Sequence, residues 1–415
     1  TARQWILRED PGRYTGIRST WQKRRFGMFH AASALGGSMS PITPWFSELL
    51  LRLLQWPGIR ADANLVVDFD VVLSPKSFIK FIDKRLSAQA EIFGVSSRLP
   101  VYVYPVEWQL RGGSKLRVAM VQGLMPLVGD FNKHGVLLDK PGYRERHREH
   151  TASLINLAYR QLLAHRLASE KSEPSKIAVD LIIFPEYSIH PADQDLVRGL
   201  SDATGAMVFY GLVGVQDPSD GKPVNIGRWL VPQRRGGKRS WIEVDQGKWN
   251  LTEPEVKLKV KPWRPYQVII ELRENGKAPY RIAGSICYDA TDIALAADLR
   301  DVSHMYVVAA MNKDVKTFDS MVGALRYHMY QHVIVANCGE FGGSTAQAPY
   351  DQEHHRLIAH VHGAHQVAIS LFEVDVDHFG PKLLAAPNEK KKRAADTRMG
   401  KTPPAGLKRK KISRK

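Results

Sequence analysis

A chain of 415 residues, 44% hydrophobic and 24% charged, is long enough for one large α/β domain with extensions or for two or three domains, and it can bury a core. Its formal net charge of +17 is not evenly spread: residues 388–415 hold twelve Lys/Arg against Glu389 and Asp396, a net +10, which leaves +7 for the rest. The absence of any run of about 18 uncharged apolar residues argues against a membrane-spanning helix, and only two cysteines argue against a disulfide framework and for a reducing cytoplasm.

The first residues, Thr1-Ala2-Arg3-Gln4-Trp5 with Asp10 and Arg13 soon after, have no apolar core of a signal peptide. The lack of an initiator Met predicts processing or excision from a longer polypeptide. Residues 1–114 read as an N-terminal extension of unknown function. Within it Pro44 suits the first turn of a helix whose apolar face is Trp45, Leu49, Leu50, Leu53, Leu54 and Trp56. Strands are expected at 65–73 and 101–104. Asp68 and Asp70 share one face of the first, which fits a solvated face better than a paired-carboxylate metal site.

From Lys115 the pattern changes. Apolar strand-like runs at 116–122, 178–184, 206–213, 226–231, 268–272, 282–288, 305–310, 333–336 and 367–374 alternate with helical stretches and turns. A helix over 150–168 places Leu154, Leu157, Ala158, Leu162 and Leu163 on one face. The alternation predicts an α/β (α+β) domain over 115–378, a mixed sheet with helices packed on it. Residues 379–415, rich in Lys and Arg and containing Pro403-Pro404, read as a disordered basic tail. Such a tail binds polyanions through counterion release, or simply keeps the chain soluble.

Three segments each deliver one reactive side chain at the end of a strand expected to be buried. Leu181-Ile182-Ile183-Phe184-Pro185-Glu186 presents a carboxylate behind a stiffening proline. Asp245-Gln246-Gly247-Lys248-Trp249-Asn250-Leu251 presents an ammonium, and Gly284-Ser285-Ile286-Cys287-Tyr288-Asp289 a thiol. Glu186 can take the thiol proton and Lys248 can favour the thiolate, which is needed because a free thiol is only a few per cent ionised at neutral pH. Taken alone, Cys287 would be a small buried hydrophobe and Lys248 a solvated loop cation. The combination is what carries chemistry.

In this order, 62 and 39 residues apart, the three segments resemble the Pro-Glu, Lys-x-x-Leu and Gly-x-x-Ile-Cys-Tyr-Asp motifs of the nitrilase superfamily, the hydrolases of amides, nitriles and related C–N bonds. Arg117-Val118-Ala119-Met120-Val121-Gln122, Ala336-Asn337-Cys338-Gly339 and Gly342-Gly343-Ser344 are similar to further elements of that family, so the resemblance spans about 115–377. It implies a four-layer αββα sandwich that associates as a homo-oligomer, and a Glu-Lys-Cys triad of Glu186, Lys248 and Cys287. It also implies an oxyanion held by Lys248 and the backbone N–H of Tyr288, and a second glutamate after the lysine, Glu255 in preference to Glu253. The expected substrate is a small amide, nitrile or carbamoyl compound, with neither metal nor organic cofactor. Two departures flank the pocket: Ala290-Thr291-Asp292-Ile293 replaces the aromatic-Pro-Glu turn, and the Arg-Ala-x-Glu-Asn segment survives mainly as Arg326, with Tyr330 and Gln331 at its end.

The remaining candidates have plainer readings. Cys338, the rival nucleophile, is expected to be structural. His354, His355, His360, His362 and His365 lack a further ligand at metal-binding spacing and are expected to be structural or at a pocket edge. Two other classes of function compete with an active hydrolase. One is a hydrolase-like accessory domain of a nucleic-acid-associated protein, such as the domains fused to reverse transcriptases of antiviral defence, with the tail as its nucleic-acid contact. The other is a pseudoenzyme scaffold.

Overall fold

The computed structural model describes residues 101–110, 114–167, 179–217, 220–235, 238–264, 266–274, 276–380 and 400–404. The N-terminal helix, the strand bearing Asp68 and Asp70, and most of the basic tail lie outside these residues. The chain divides into two compact units, Thr1–Val103 with Asp217–Lys222, and Tyr104–Gln216 with Pro223–Lys415. β1 (Val101–Glu107) is the edge strand of a sheet built from later residues.

That sheet has seven strands: β1, β7 (Gln267–Arg273), β8 (Tyr280–Ile286), β9 (Met305–Ala310), β10 (His332–Asn337), β11 (Ser344–Gln347) and β12 (Leu357–Val361), in that spatial order. A second sheet has six, in the order β13 (Ala368–Asp375), β2 (Lys115–Gln122), β3 (Leu181–Ile183), β4 (Met207–Gln216), β5 (Pro223–Arg235) and β6 (Lys238–Gly247). Parallel pairing runs through β2-β3-β4 and through β8-β9-β10. Strands so placed are covered on both faces, which is why β3 (LII) and β9 (MYVVAA) are apolar without alternation and wholly buried. In the middle of the chain β4-β5-β6 and β7-β8 form antiparallel ladders.

The two sheets meet face to face. Phe209 of β4 stacks on Trp229 of β5 at 4.5 Å between ring centroids. A Cβ at Gly284 of β8 would come within 3.0–3.1 Å of those two rings, which would have to shift by a few tenths of an ångström to admit a side chain between the sheets. On the outer face of the six-stranded sheet lie α2 (Pro141–Leu167) and α3 (Gln194–Thr204), whose Leu154, Ala158, Leu162, Val197 and Leu200 cluster with Ile182, Val208 and Leu230. Each such fully buried side chain contributes roughly 1.5–3 kcal/mol. Leu157, expected on the same face, is 45% exposed. It sits about 100° around the helix from Ala158, past the edge of the packed stripe.

The seven-stranded sheet is covered by α6 (Val315–Leu325), which buries Phe318, Val322 and Leu325 against β10 and β11. Helix, sheet, sheet and helix thus form the four layers expected from the sequence. The altered segment at 326–331 is a π-helical turn, Arg326–Tyr330, followed by a buried Gln331 that exchanges hydrogen bonds with Ser303. Within the basic tail, 400–404 departs from the disordered expectation. Gly400 bridges Tyr350, Lys401 N donates to Pro349 O, and Tyr330 OH donates to Lys401 O. The glycine permits this, since a Cβ there would meet Tyr330 and Phe379. No helix among the described residues is long and apolar enough to cross a membrane.

Candidate functional site

The chain leaves β3 through Phe184 and Pro185 and turns sharply at Glu186 and Tyr187. Tyr187 takes a left-handed φ of 57°. Gly211 of β4 makes the turn possible, because a Cβ there would lie 2.5 Å from Glu186 Cα and from Tyr187 N. Gly211 N donates to Pro185 O at 3.0 Å and Ser188 Oγ to the same oxygen at 2.8 Å. The carboxylate is therefore held by backbone, not by a flexible loop.

Lys248 follows the end of β6 and is 1% exposed. Its N–H donates to Asn225 O and its carbonyl accepts from Trp263 N. Glu255 lies on the short helix α4 (Glu253–Lys257), where Thr252 N and Oγ1 both donate to Glu255 Oε2 at 2.8 Å. This is a capping box, which orients the glutamate while satisfying a free N–H of the helix start. Glu253 instead pairs with Lys257 on the surface. Cys287 follows β8 at the start of a 3-10 turn, Cys287–Thr291, with φ at 42°, a strained conformation for a residue with a Cβ.

These residues converge. Lys248 Nζ lies 2.8 Å from Glu186 Oε1 and 2.7 Å from Glu255 Oε2. Cys287 stands close enough to Glu186 and Lys248 for both charges to act on its buried thiol. Three groups that the motifs did not mark complete the cluster. Asn225 Nδ2 donates to Glu186 at 2.7 Å and to Glu255 at 2.8 Å, Tyr187 OH donates to Glu255 at 2.8 Å, and Met311 N donates to Glu186 Oε2 at 3.0 Å. Asn225 had one sequence signal, a lone amide inside the apolar start of β5.

Burial pushes Glu186 above the ordinary carboxylate range, with Lys248 opposing and Glu255 adding to the shift. Burial would also raise Glu255, but Lys248 outweighs it and holds Glu255 below the ordinary value. Lys248 is raised in spite of its burial, by Glu186, Cys287 and Glu255. The Cys287 thiol is pushed well up by burial and Glu186. Lys248 and Glu255 are thus favoured in their charged forms, while Glu186 and the thiol hold their protons more tightly than usual.

The later elements act on the same site at one remove. Asn337 Nδ2 donates to Asn312 O and Gly342 O, and its Oδ1 accepts from Asn312 N, next to the Met311 N–H that reaches Glu186. Gln122 accepts from Ser344 Oγ at 2.7 Å. Cys338, pushed up to about 12 chiefly by burial, sits in this backbone turn with its N–H on Ala310 O. His360 lies 3.6 Å from Asp319, and no group of three or more His, Cys, Asp or Glu among the described residues could hold a metal ion. Tyr288 is the second residue of the 3-10 turn, with its ring 47% exposed.

Compared as a sequence, the chain matches no protein-family model and no curated protein. Among solved structures it is similar to Saccharomyces cerevisiae Nit3, a member of branch 10 of the nitrilase superfamily, at 13% identity and a TM-score of 0.44, over 63% of this chain and 91% of that one. A further similar structure is an amidase mutant from Nesterenkonia sp. AN1, carrying the acetamide moiety of fluoroacetamide covalently at its active-site cysteine, at 12% identity and a TM-score of 0.43, over 65% and 94% of the two chains. A CN-hydrolase superfamily protein from Xanthomonas campestris is similar at 14% identity and a TM-score of 0.39, over 62% and 90%.

Proposed function

We propose that this chain is a cysteine-dependent carbon–nitrogen hydrolase of the nitrilase superfamily, acting on a small amide, nitrile or carbamoyl compound. One observation carries the reading. A buried ammonium is clamped between two carboxylates beside the buried thiol of a cysteine on a strained elbow. A structural ion pair has no use for the thiol or for the second acid.

In this reading Glu186 is the general base. Its raised proton affinity suits it to take the Cys287 proton, a service worth about 10²–10⁴ in rate. The thiolate attacks the substrate carbon, and the charge formed on oxygen (or on nitrogen, for a nitrile) is met by Lys248 Nζ and the N–H of Tyr288. That N–H belongs to the first turn of a helix, where donors lack intrahelical partners. Removing one such donor costs on the order of 10²–10³. Glu186 returns its proton to the departing amine, then accepts one from the water that cleaves the thioester. Glu255, ionised throughout, holds Lys248 in place and balances its charge.

The test is ammonia release by the full chain from a panel of small primary amides, nitriles and N-carbamoyl compounds, with intact-mass trapping of the acyl adduct. Hydrolysis with a mass shift mapped to Cys287, both lost in Cys287→Ala, is expected. Turnover undiminished in Cys287→Ala would sink the assignment.

A further inference from the structure

Asp289 stands two residues beyond the cysteine and is fully buried, yet the chemistry above assigns it nothing. Its carboxylate accepts from Asn250 N at 2.7 Å through Oδ1, and from Trp249 N at 3.0 Å through Oδ2. These are the two residues that follow Lys248. On its other side Arg264 Nη1 lies 3.2 Å from Asp289 Oδ2, and Arg264 is 9% exposed. The residue before it, Trp263, donates its N–H to Lys248 O at 2.8 Å. The Asp289–Arg264 pair therefore grips the lysine segment from both ends. The turn bearing Asp289 is closed by Asp292 N on Asp289 O at 3.1 Å, so the carboxylate is rigid with respect to the Cys287 elbow.

We infer that Asp289 is a positioning residue: by tying residues 249–250 to the elbow, and through Arg264 to Trp263, it fixes how far the Lys248 ammonium stands from the Cys287 sulfur. This rests on the proposed cysteine chemistry. The physical reason is that residues 249–250 lie between β6 and α4 outside any strand ladder, and a buried carboxylate with two backbone donors and a guanidinium supplies that restraint. A displacement of about 1 Å in such a site costs up to ~10²-fold in rate.

The inference has a sign that separates it from simple charge. As an anion close to the elbow, Asp289 disfavours the thiolate, so removing its charge alone would speed reaction of the sulfur. As the anchor of Lys248 it favours the thiolate, so removing it slows reaction. The experiment is alkylation of Cys287 by iodoacetamide in the full chain, followed across pH and mapped by peptide mass, for wild type, Lys248→Met, Asp289→Asn and Arg264→Gln. Lys248→Met and Asp289→Asn are expected to slow alkylation by about tenfold or more and to move its pH midpoint upward, with Arg264→Gln smaller in the same direction. A folded Asp289→Asn that alkylates as fast as wild type or faster overturns the inference. If that variant does not fold, an unchanged rate in folded Arg264→Gln overturns it instead. Should Lys248→Met itself react like wild type, the triad reading falls; if Lys248→Met slows the reaction while Asp289→Asn does not, only the role of Asp289 falls.

Discussion

Glu186 and Asp193 are buried carboxylates in one short stretch of chain, and both meet cations, yet their surroundings drive them in opposite directions. Asp193 is touched by Arg144 and by Arg148, each at 2.9 Å, with His147 at 3.6 Å. Burial opposes ionisation there, but these partners overcome it and hold Asp193 far below the usual carboxylate range. Glu186 shares a single ammonium with Glu255, and burial leaves it above that range. Two guanidiniums and an imidazole outweigh burial at Asp193 and make a clamp that ties α2 to the start of α3, whereas at Glu186 burial outweighs the one ammonium it shares.

The sharpest way to break this comparison is Glu186→Gln. If Glu186 is the mobile-proton site, hydrolysis falls by about 10²–10⁴ and the acid limb of the pH–rate profile disappears. That limb should lie above the ordinary Glu value of about 4.3, because Glu186 is raised. A Gln variant that keeps the limb would assign it elsewhere.

Asn225→Ala should come next, with a loss of about tenfold in hydrolysis. It removes the amide that holds the two acids at a fixed separation, at 2.7 and 2.8 Å. Steady-state kinetics on the best substrate of the panel would show the loss in kcat rather than in KM.

Asp193→Asn tests the other half. It should leave Cys287 alkylation unchanged while lowering stability at neutral pH by ~1–3 kcal/mol, since two arginines lose a charged acceptor. The sign with pH follows from the lowered pKa. Asp193 contributes its stability above its unfolded value of about 3.9 and loses it as pH falls through that value toward the folded one. Chemical denaturation should therefore show the wild-type advantage over Asn shrinking below about pH 4. A gap that widened on acidification would contradict the clamp.

Cys338→Ala is expected to have the smallest effect. It trims a buried sulfur, costing ~1 kcal/mol in thermal unfolding, and leaves the iodoacetamide label on Cys287.

Much of the fold was legible in the sequence because buried parallel strands write themselves as unbroken apolar runs. The expected runs at 305–310 and 333–336 coincide with β9 and β10 to within a residue. The edge strand β1 was seen as a strand but its place in a sheet was not, since its partner β7 lies more than 150 residues on and pairing leaves no local trace. Leu157 shows a similar limit: periodicity names an apolar face but not where the neighbouring sheet stops covering it.

At the candidate site, the sequence by itself determined which reactive groups are present and that Glu186 and Cys287 follow apolar strands. Glu186, Lys248 and Cys287 stand at strand ends because a strand stops where a turn can present a side chain. Only the tertiary structure decided their mutual distances and the entry of Asn225, Tyr187, Met311 N and Asp289. The reason is electrostatic. A carboxylate's proton affinity is set by the charges and dipoles within a few ångströms of it, and here those come from five separate stretches of chain.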